Sequence, residues 1–246
     1  MGSSFPANVH VSAHPCLRAK LSQLRSHTAS TRETKLLVHE ITTILASTPH
    51  GSQPAYRTNS LTSTTVAIIQ DKTPLGVEYT TEGLAPSSLA LVPILRSGLG
   101  MLDAIQSLLP DDIPVHHLGL FRERSTLQPV EYYNNLPFHR PDTFSKTDTT
   151  SAPNELAAHT AILVDPVIAT GGTADAAIQL LRDWGVQRIL YLSVLGSEGG
   201  VRRAAEEWPE GVQVWVGAVD QTCDERGMIV PGLGDIGDRL FKAVGK

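Results

Sequence analysis

The chain has 246 residues, of which 41% are hydrophobic and 18% are charged, and its formal net charge is -5. This composition is typical of a globular protein with one large α/β domain or two small ones, and the negative charge argues against a nucleic-acid partner. Cys16 and Cys223 lie too far apart in sequence to suggest a disulfide framework or a zinc motif. With no secretory signal and no apolar run of membrane-spanning length, we expect a cytoplasmic protein without a membrane partner.

The N-terminal part of the chain predicts an arm followed by two helices. Residues 1–14 show no regular pattern and are expected to form a loose N-terminal arm. Apolar residues recur at helical spacing in residues 17–24 and again in residues 36–45. Ser30 and Thr31 precede the second of these segments, and their hydroxyls suit a helix cap.

The remainder predicts a single domain, 15–246, in which strands alternate with helices from about residue 84 onward. Strands are expected at residues 88–95, 115–121, 161–164, 188–195 and 212–216. Helices are expected at residues 99–109, 174–184, 198–208 and 239–243. This alternation indicates an α/β fold with a parallel sheet flanked by helices. We expect an antiparallel hairpin near residues 127–136 and flexible loops at about 47–65 and 138–158, which are rich in polar residues.

The most informative segment is the acid at the end of a buried strand and the glycine-rich turn after it. The apolar run 161–164 ends at Asp165, and a Thr-Gly-Gly-Thr turn then opens a helix. Backbone amides, hydroxyls and a helix N-terminus together suit a phosphate, and the carboxylate suits sugar hydroxyls. No lysine follows the glycines and their spacing is not that of a dinucleotide fingerprint, which excludes the two commonest nucleotide motifs. We call residues 169–173 the phosphate cradle; the alternative is an ordinary strand-turn-helix corner.

Three other segments follow predicted strands and carry candidate ligand-binding groups. Arg96, with Ser-Gly-Leu-Gly after it, offers a guanidinium and free amides that suit a diphosphate. Arg122 is a second candidate for the same group, and a solvated surface position is the alternative for either arginine. The glycine-rich tail 231–238 exposes peptide groups that suit a flat base, and Asp238 is expected to cap the last helix. Since ligands bind beyond the carboxyl ends of parallel strands, we expect these segments to meet at one site.

Taken together, these segments resemble the uracil phosphoribosyltransferases, a branch of the type I phosphoribosyltransferases. The matching stretches are residues 92–101, 126–133, 163–173 and 229–241, and the resemblance runs from about residue 14 to the end. It implies the type I phosphoribosyltransferase fold, with an antiparallel hairpin flap and a C-terminal base-binding loop. It also implies the transfer of ribose 5-phosphate from phosphoribosyl pyrophosphate (PRPP) to uracil, which yields UMP and diphosphate, with Mg2+ as cofactor.

By that likeness, the catalytic residues are Arg96, Asp165 and Asp235. The residues that would bind PRPP are Arg96, Arg122, Asp165, Pro166, Val167, Ile168, Ala169, Thr170, Gly171, Gly172, Thr173 and Asp235. The residues that would hold uracil, largely through their backbones, are Ile229, Gly234, Asp235 and Ile236. Magnesium would be held mainly through PRPP, near Asp235, and the resemblance also implies a homodimer or a higher homo-oligomer.

Two of the positions that depart from the family's usual residues lie near the presumed base. Met228 stands where the family commonly has Tyr, and Ile236 stands where it commonly has Ala. These departures keep a second hypothesis open, a non-catalytic paralogue that binds PRPP or UMP and has a regulatory role. An enzyme for another base, such as a purine, is a third hypothesis, and the sequence leaves activation by GTP open.

Overall fold

The structure, a computed structural model, describes residues 5–47, 66–84, 89–110, 112–123, 128–137 and 158–242. The strands are β1 (Val9–Val11), β2 (Val66–Lys72), β3 (Glu78–Leu84), β4 (Leu89–Leu95), β5 (Leu118–Arg122), β6 (Pro129–Asn134), β7 (Thr160–Val164), β8 (Val167–Ile168), β9 (Arg188–Ser197), β10 (Val212–Asp220), β11 (Thr222–Cys223) and β12 (Ile229–Val230). The helices are α1 (Pro15–Leu24), α2 (Thr31–Ser47), α3 (Leu99–Gln106), α4 (Gly172–Trp184), α5 (Glu198–Glu207) and α6 (Ile236–Phe241). Their alternation from β4 to β10 confirms the predicted α/β fold.

The largest sheet has the strand order β1-β10-β9-β7-β4-β5-β6, and the short β8 pairs with β9. Its strand pairs are parallel except for β5 and β6, which form an antiparallel hairpin as predicted. Strands β7 and β9 are almost wholly buried. Near-continuous apolar strands are what a parallel sheet covered on both faces requires.

Apolar side chains form a core on each face of this sheet. On one face, α1, α2, α3 and α6 contribute residues such as Leu24, Ile41 and Ile105. On the other face, α4 and α5 pack residues such as Ile178 and Ala204 against the strands. The two layers hold the carboxyl ends of β4 and β7 beside the N-termini of the helices that follow them, which is where the candidate ligand-binding residues lie.

The prediction of a loose N-terminal arm is wrong for Val9–Val11, because this segment pairs in parallel with β10 as an edge strand. The Asn8 side-chain amide fixes it by donating to the carbonyls of Ala205 and Val212 at 2.9 and 3.0 Å. A three-residue strand has too little sequence pattern to be recognised without its distant partner. Residues 1–4 lie outside the described part of the chain.

Strands β2 and β3 form a separate antiparallel hairpin that the sequence analysis does not predict. Its turn is closed by a hydrogen bond from the Gly76 amide to the Thr73 carbonyl, and Gly76 has φ 78°. Leu75 and Val77 beside this turn are 91% and 60% exposed. These apolar residues at the hairpin tip face solvent and not a core. The apolar pattern of the sequence therefore does not show which side of the hairpin is buried.

Helix α2 begins with the expected cap. The Glu33 amide donates to the Ser30 hydroxyl, and the Ser30 amide donates to the Glu33 carboxylate. The helix extends through Ser47, so the first predicted loop begins one residue later than expected, and residues 48–65 and 138–157 lie outside the described ranges. No helix in the described part of the chain combines the length and apolar character of a membrane span.

Candidate active site

The phosphate cradle has the local structure that its sequence predicts. Strand β7 ends immediately before Asp165, β8 pairs with β9, and Gly171 precedes the first residue of α4. Gly171 has φ 83°, and a Cβ atom there would lie 2.9 Å from the Gly200 carbonyl oxygen. Glycine is therefore required by both conformation and space. The N-terminus of α4 consequently presents backbone amides at the cradle, where they favour an anion.

The cradle is supported from below by the start of α5, which the sequence analysis did not connect with it. The Ser197 hydroxyl donates to the Ala169 carbonyl at 2.6 Å and accepts from the Gly200 amide at 2.9 Å. An ion pair between Asp175 and Arg203 joins α4 to α5. The sequence gives no signal for this contact, because α4 and the rest of β9 lie between Ala169 and Ser197.

Asp165 is buried at the cavity, with 7% of its surface exposed. Burial raises the pKa of its carboxyl group to about 7, although hydrogen bonds from the Ser97 hydroxyl and the Val167 amide favour the charged form. The Ser97 contact is 2.9 Å long and joins the turn after β4 to the end of β7. A carboxyl group whose pKa is so perturbed, placed in a cleft, is typical of a functional site.

The turn after β4 carries Arg96, whose guanidinium lies 3.8 Å from the Asp238 carboxylate. About half of the Arg96 side chain is exposed, so its charge is available to a ligand. Arg122 is the last residue of β5, and its side chain lies outside the described part of the structure. Its contact with a diphosphate therefore stays a prediction.

The glycine-rich tail forms a loop that we call the base loop, residues 227–237. Gly232 and Gly234 have φ values of 61° and 76°. The expectation that Asp238 caps the last helix is wrong. Asp235 is the N-cap of α6, and its carboxylate accepts from the Asp238 amide at 3.0 Å. Asp235 occupies the position before the first helical turn, so its side chain reaches the free amide three residues on.

The phosphate cradle and the base loop line the same cavity, which encloses about 320 Å³. The predicted site residues on its wall are Arg96, Asp165, Val167, Ile168, Ala169, Thr170, Gly171, Thr173, Ile229, Gly234, Asp235 and Ile236. Pro166 and Gly172 are buried and are not among its lining residues. The Pro166 carbonyl instead accepts from the amides of Val194 and Leu195, which supports the turn. Met228 also lines the cavity, and so do Phe121 and Tyr132 of the β5–β6 hairpin.

A family model described as uracil phosphoribosyltransferase matches residues 11–243. The chain belongs to the uracil phosphoribosyltransferase family. The uracil phosphoribosyltransferase of Thermoanaerobacter sp. strain X514 is 36% identical over 234 residues, covering 95% of this chain and 97% of the relative. The uracil phosphoribosyltransferase of Lysinibacillus sphaericus is 35% identical over 235 residues, covering 96% and 98%. The solved structure of the AQ2163 protein from Aquifex aeolicus aligns with a TM-score of 0.78 at 26% identity, covering 96% and 98%.

In this uracil phosphoribosyltransferase family member, Tyr191 is among the cavity residues that the sequence did not identify as part of the site. Tyr191, on β9, is fully buried and lines the cavity, but its hydroxyl has no hydrogen-bond partner among the described residues. Its strand neighbour in register is Leu163, two residues before Asp165. A buried hydroxyl is normally hydrogen-bonded, so this one is available to a ligand or an ordered water. In the sequence, Tyr191 is one apolar position of a buried strand and carries no further signal.

The acidic residues of the site fit a magnesium ion that arrives with a phosphorylated substrate. Within the described ranges, no group of three or more histidine, cysteine, aspartate or glutamate residues is placed to hold a metal. Asp165 and Asp235 nevertheless face the same cavity. Protein-bound Mg2+ is commonly held by one or two carboxylates together with substrate phosphates and waters. One oxygen of Asp235 is engaged by the α6 cap, which leaves its second oxygen for such a role.

Proposed function

We propose that this chain transfers the 5-phosphoribosyl group of PRPP to N1 of uracil. The bond between C1 of the ribose and the diphosphate oxygen breaks, a bond between C1 and N1 forms, and the N1 proton is lost. The products are UMP and diphosphate. The observation that carries the proposal is that an acid-bearing phosphate cradle and a glycine-rich base loop line one cavity of about 320 Å³.

The 5-phosphate is assigned to the phosphate cradle. The α4 N-terminus and the left-handed Gly171 leave amides free there, and the hydroxyls of Thr170 and Thr173 line the same wall. Asp165 then accepts hydrogen bonds from the ribose hydroxyls. Its position directly before the cradle matches the short distance between a 5-phosphate and its own ribose. An ionised Asp165 also stabilises the positive charge that develops on the ribose as diphosphate departs.

The diphosphate is assigned to Arg96, with Arg122 as its second contact. A guanidinium binds phosphate oxygens through forked, charge-assisted hydrogen bonds. The Asp238 carboxylate lies 3.8 Å from the Arg96 guanidinium, within range of a weak, solvent-screened attraction. Magnesium, bound with PRPP near Asp235, would neutralise further charge on the departing diphosphate.

The base is assigned to the base loop. Ile229 and Ile236 are buried and line the cavity, and Gly234 exposes its peptide group there. Apolar side chains on either side of free peptide groups suit a flat heterocycle with alternating donors and acceptors. The aromatic residues Phe121 and Tyr132 of the β5–β6 hairpin line the opposite part of the cavity and help to exclude water from the reacting carbon.

The direct test is turnover by the purified chain. Uracil, PRPP and Mg2+ should give UMP and diphosphate in equal amounts, measured by chromatography and by a coupled diphosphate assay. Cytosine, hypoxanthine and adenine, offered as competitors, should not be consumed. PRPP binding by calorimetry with no product from any base would instead establish the non-catalytic alternative, and consumption of a purine would establish the third hypothesis.

The resemblance also supports a homodimer or a higher homo-oligomer in the cytoplasm, and we retain both as parts of the proposal. Light scattering of the purified chain at micromolar concentration tests the first. A mass equal to that of one chain would contradict it. Imaging of a tagged chain in its native cell tests the second.

A further inference from the structure

The base loop is held from behind by a charged group that does not enter the cavity. Asp220, at the end of β10, accepts two hydrogen bonds of 2.7 Å each from Arg25, which follows α1. Asp220 also accepts from the Gly232 amide at 2.9 Å. Arg25 in turn donates to the Gly232 carbonyl at 2.6 Å. Both peptide groups of one base-loop glycine are therefore fixed by the same ion pair.

Gly232 has little freedom to adjust its position. Its φ is 61°, and a Cβ atom there would lie 2.1 Å from the Ile229 carbonyl oxygen. The loop turns back on itself at this residue, between the two segments that contribute Ile229 and Gly234 to the cavity wall. A shift of Gly232 would consequently move both segments.

A second guanidinium holds the next residue of the loop. Arg239, on α6, donates to the Leu233 carbonyl at 2.8 Å and to the Leu24 carbonyl at 2.6 Å. It also donates to the Ser26 carbonyl at 3.0 Å. Arg239 thereby ties the loop to the C-terminal end of α1, beside Arg25.

The electrostatics favour the ion pair. Burial opposes ionisation of Asp220, but the hydrogen bonds from Arg25 and the Gly232 amide, with the charge of Arg25, together lower the pKa of Asp220 below its ordinary value. The two side chains are 25% and 9% exposed, so solvent screens this pair less than a surface pair. The two parallel hydrogen bonds also fix the orientation of the Arg25 guanidinium relative to the Asp220 carboxylate, which a single contact would not do.

We propose that Arg25 and Asp220 are positioning residues for base recognition, acting through Gly232 on the peptide groups of the base loop. Neither lines the cavity, so neither touches the base or PRPP. This inference rests on the proposed function, since it specifies how the base end of the same site is held. Its signature is a change in the KM for uracil that is not shared by the KM for PRPP, because the phosphate cradle belongs to other elements.

The experiment compares Arg25→Gln, Asp220→Asn and the double variant with the parent chain. We expect each single change to raise the KM for uracil about tenfold, since it removes charged hydrogen bonds that fix the loop, while the KM for PRPP stays within about twofold. The double variant should be no worse than the single ones, because the two residues act as one unit. Arg25→Lys, which keeps the charge but not the fork, should lie between Arg25→Gln and the parent.

Lys20→Gln is the matched control. The Lys20–Glu40 pair also extends from α1, its oxygen-nitrogen distance is 2.6 Å, and it does not contact the base loop. We expect it to leave both KM values unchanged. Equal changes of both KM values in Arg25→Gln, or a fall in kcat alone, would show a merely structural role and overturn the proposal.

Hydrogen exchange measured by mass spectrometry tests, independently of turnover, whether the Arg25–Asp220 pair orders the base loop. Peptides that cover residues 229–236 should exchange faster in Arg25→Gln than in Lys20→Gln, while peptides that cover residues 169–176 exchange alike. If the parent chain used no base at all, the proposed function would fail, and the exchange data would still decide whether the ion pair orders the loop. Unchanged exchange in the base loop would overturn the proposal.

Discussion

The phosphate cradle and the base loop line one cavity, yet they are held by different means. The cradle lies between a buried strand and a helix of thirteen residues, so regular elements adjacent in sequence fix its shape. The base loop contains only a two-residue strand and the start of a short helix. Its shape depends on Arg25, which reaches Asp220 and Gly232 across 195 and 207 residues of sequence, and on Arg239, which joins Leu233 to Leu24, 215 residues away from Arg239. The side-chain contacts that support the cradle, from Ser97 and Ser197, therefore span 68 and 28 residues of sequence, whereas those that support the base loop reach 215.

The largest expected effect comes from the acid of the cradle. Asp165→Asn should lower kcat/KM for PRPP on the order of a hundredfold, because it removes the negative charge beside the developing positive charge. The melting temperature should not fall, since a buried carboxyl group whose pKa is raised to about 7 costs stability when it ionises. Steady-state kinetics and thermal unfolding of the same sample check this. Parallel losses of activity and melting temperature would assign Asp165 to the core instead.

A matched pair of glycine substitutions tests whether the phosphate cradle and the base loop affect the binding of PRPP and of uracil separately. Gly171→Ala places a side chain at φ 83° against the Gly200 carbonyl, and Gly234→Ala places one at φ 76° with its nearest neighbour, Arg239, 3.9 Å away. Left-handed backbone costs a non-glycine residue about 1 to 2 kcal/mol, or roughly tenfold in binding.

Gly171→Ala should therefore raise the KM for PRPP and spare that for uracil, and Gly234→Ala should do the reverse. Initial rates with each substrate varied at saturation of the other measure both constants. If each variant changed both constants alike, the division of the site into two independently held ends would be wrong.

The pH dependence of activity tests the role of Asp165 in the cradle, with a smaller expected effect than the substitutions above. Because the folded-state pKa of Asp165 is about 7, kcat/KM for PRPP should rise with pH and level off above that value. Ser97→Ala removes a hydrogen bond that favours the ionised form, so its profile should move to higher pH.

A raised carboxyl pKa also means that the folded state binds the proton more tightly than the unfolded state. Stability conferred by Asp165 should therefore decrease from about pH 4, the ordinary pKa of an aspartate, to about pH 7, and Asp165→Asn should lose this dependence.

The smallest expected effect is that of the buried hydroxyl on β9. Tyr191→Phe should weaken PRPP binding a few fold, because one neutral hydrogen bond is worth about 1 kcal/mol. Stability should stay the same or increase, since the hydroxyl has no partner within the described ranges. Calorimetric titration with PRPP measures the change. Unaltered PRPP affinity would leave Tyr191 as part of the core alone.

The contrast between the two ends also explains what the sequence could predict. Asp165, Gly171 and the helix after them form a contiguous strand-turn-helix pattern, and a periodic apolar strand followed by glycines identifies it directly. The parallel sheet follows from the repetition of such units. Ligands bind beyond the carboxyl ends of parallel strands, and this rule predicts that the cradle and the tail line one cavity.

Several of the features that were missed depend on partners far away in the chain. Val9–Val11 becomes a strand only because β10 offers a free edge. The error over the α6 cap is local instead: α6 begins at Ile236 and not at residue 239, so Asp235 is the residue that precedes it. The support of Ala169 by Ser197 arises only when α5 packs beside α4. Local propensity and periodicity carry no information about such contacts.

The central claim is that the phosphate cradle and the base loop bind opposite ends of one nucleotide. A crystal structure of the chain with UMP tests this most directly. We predict that the phosphate will lie against the amides of residues 169–173, the ribose hydroxyls against Asp165, and the uracil ring against residues 229–236. UMP bound outside this cavity, or bound with its base at the cradle, would contradict the account.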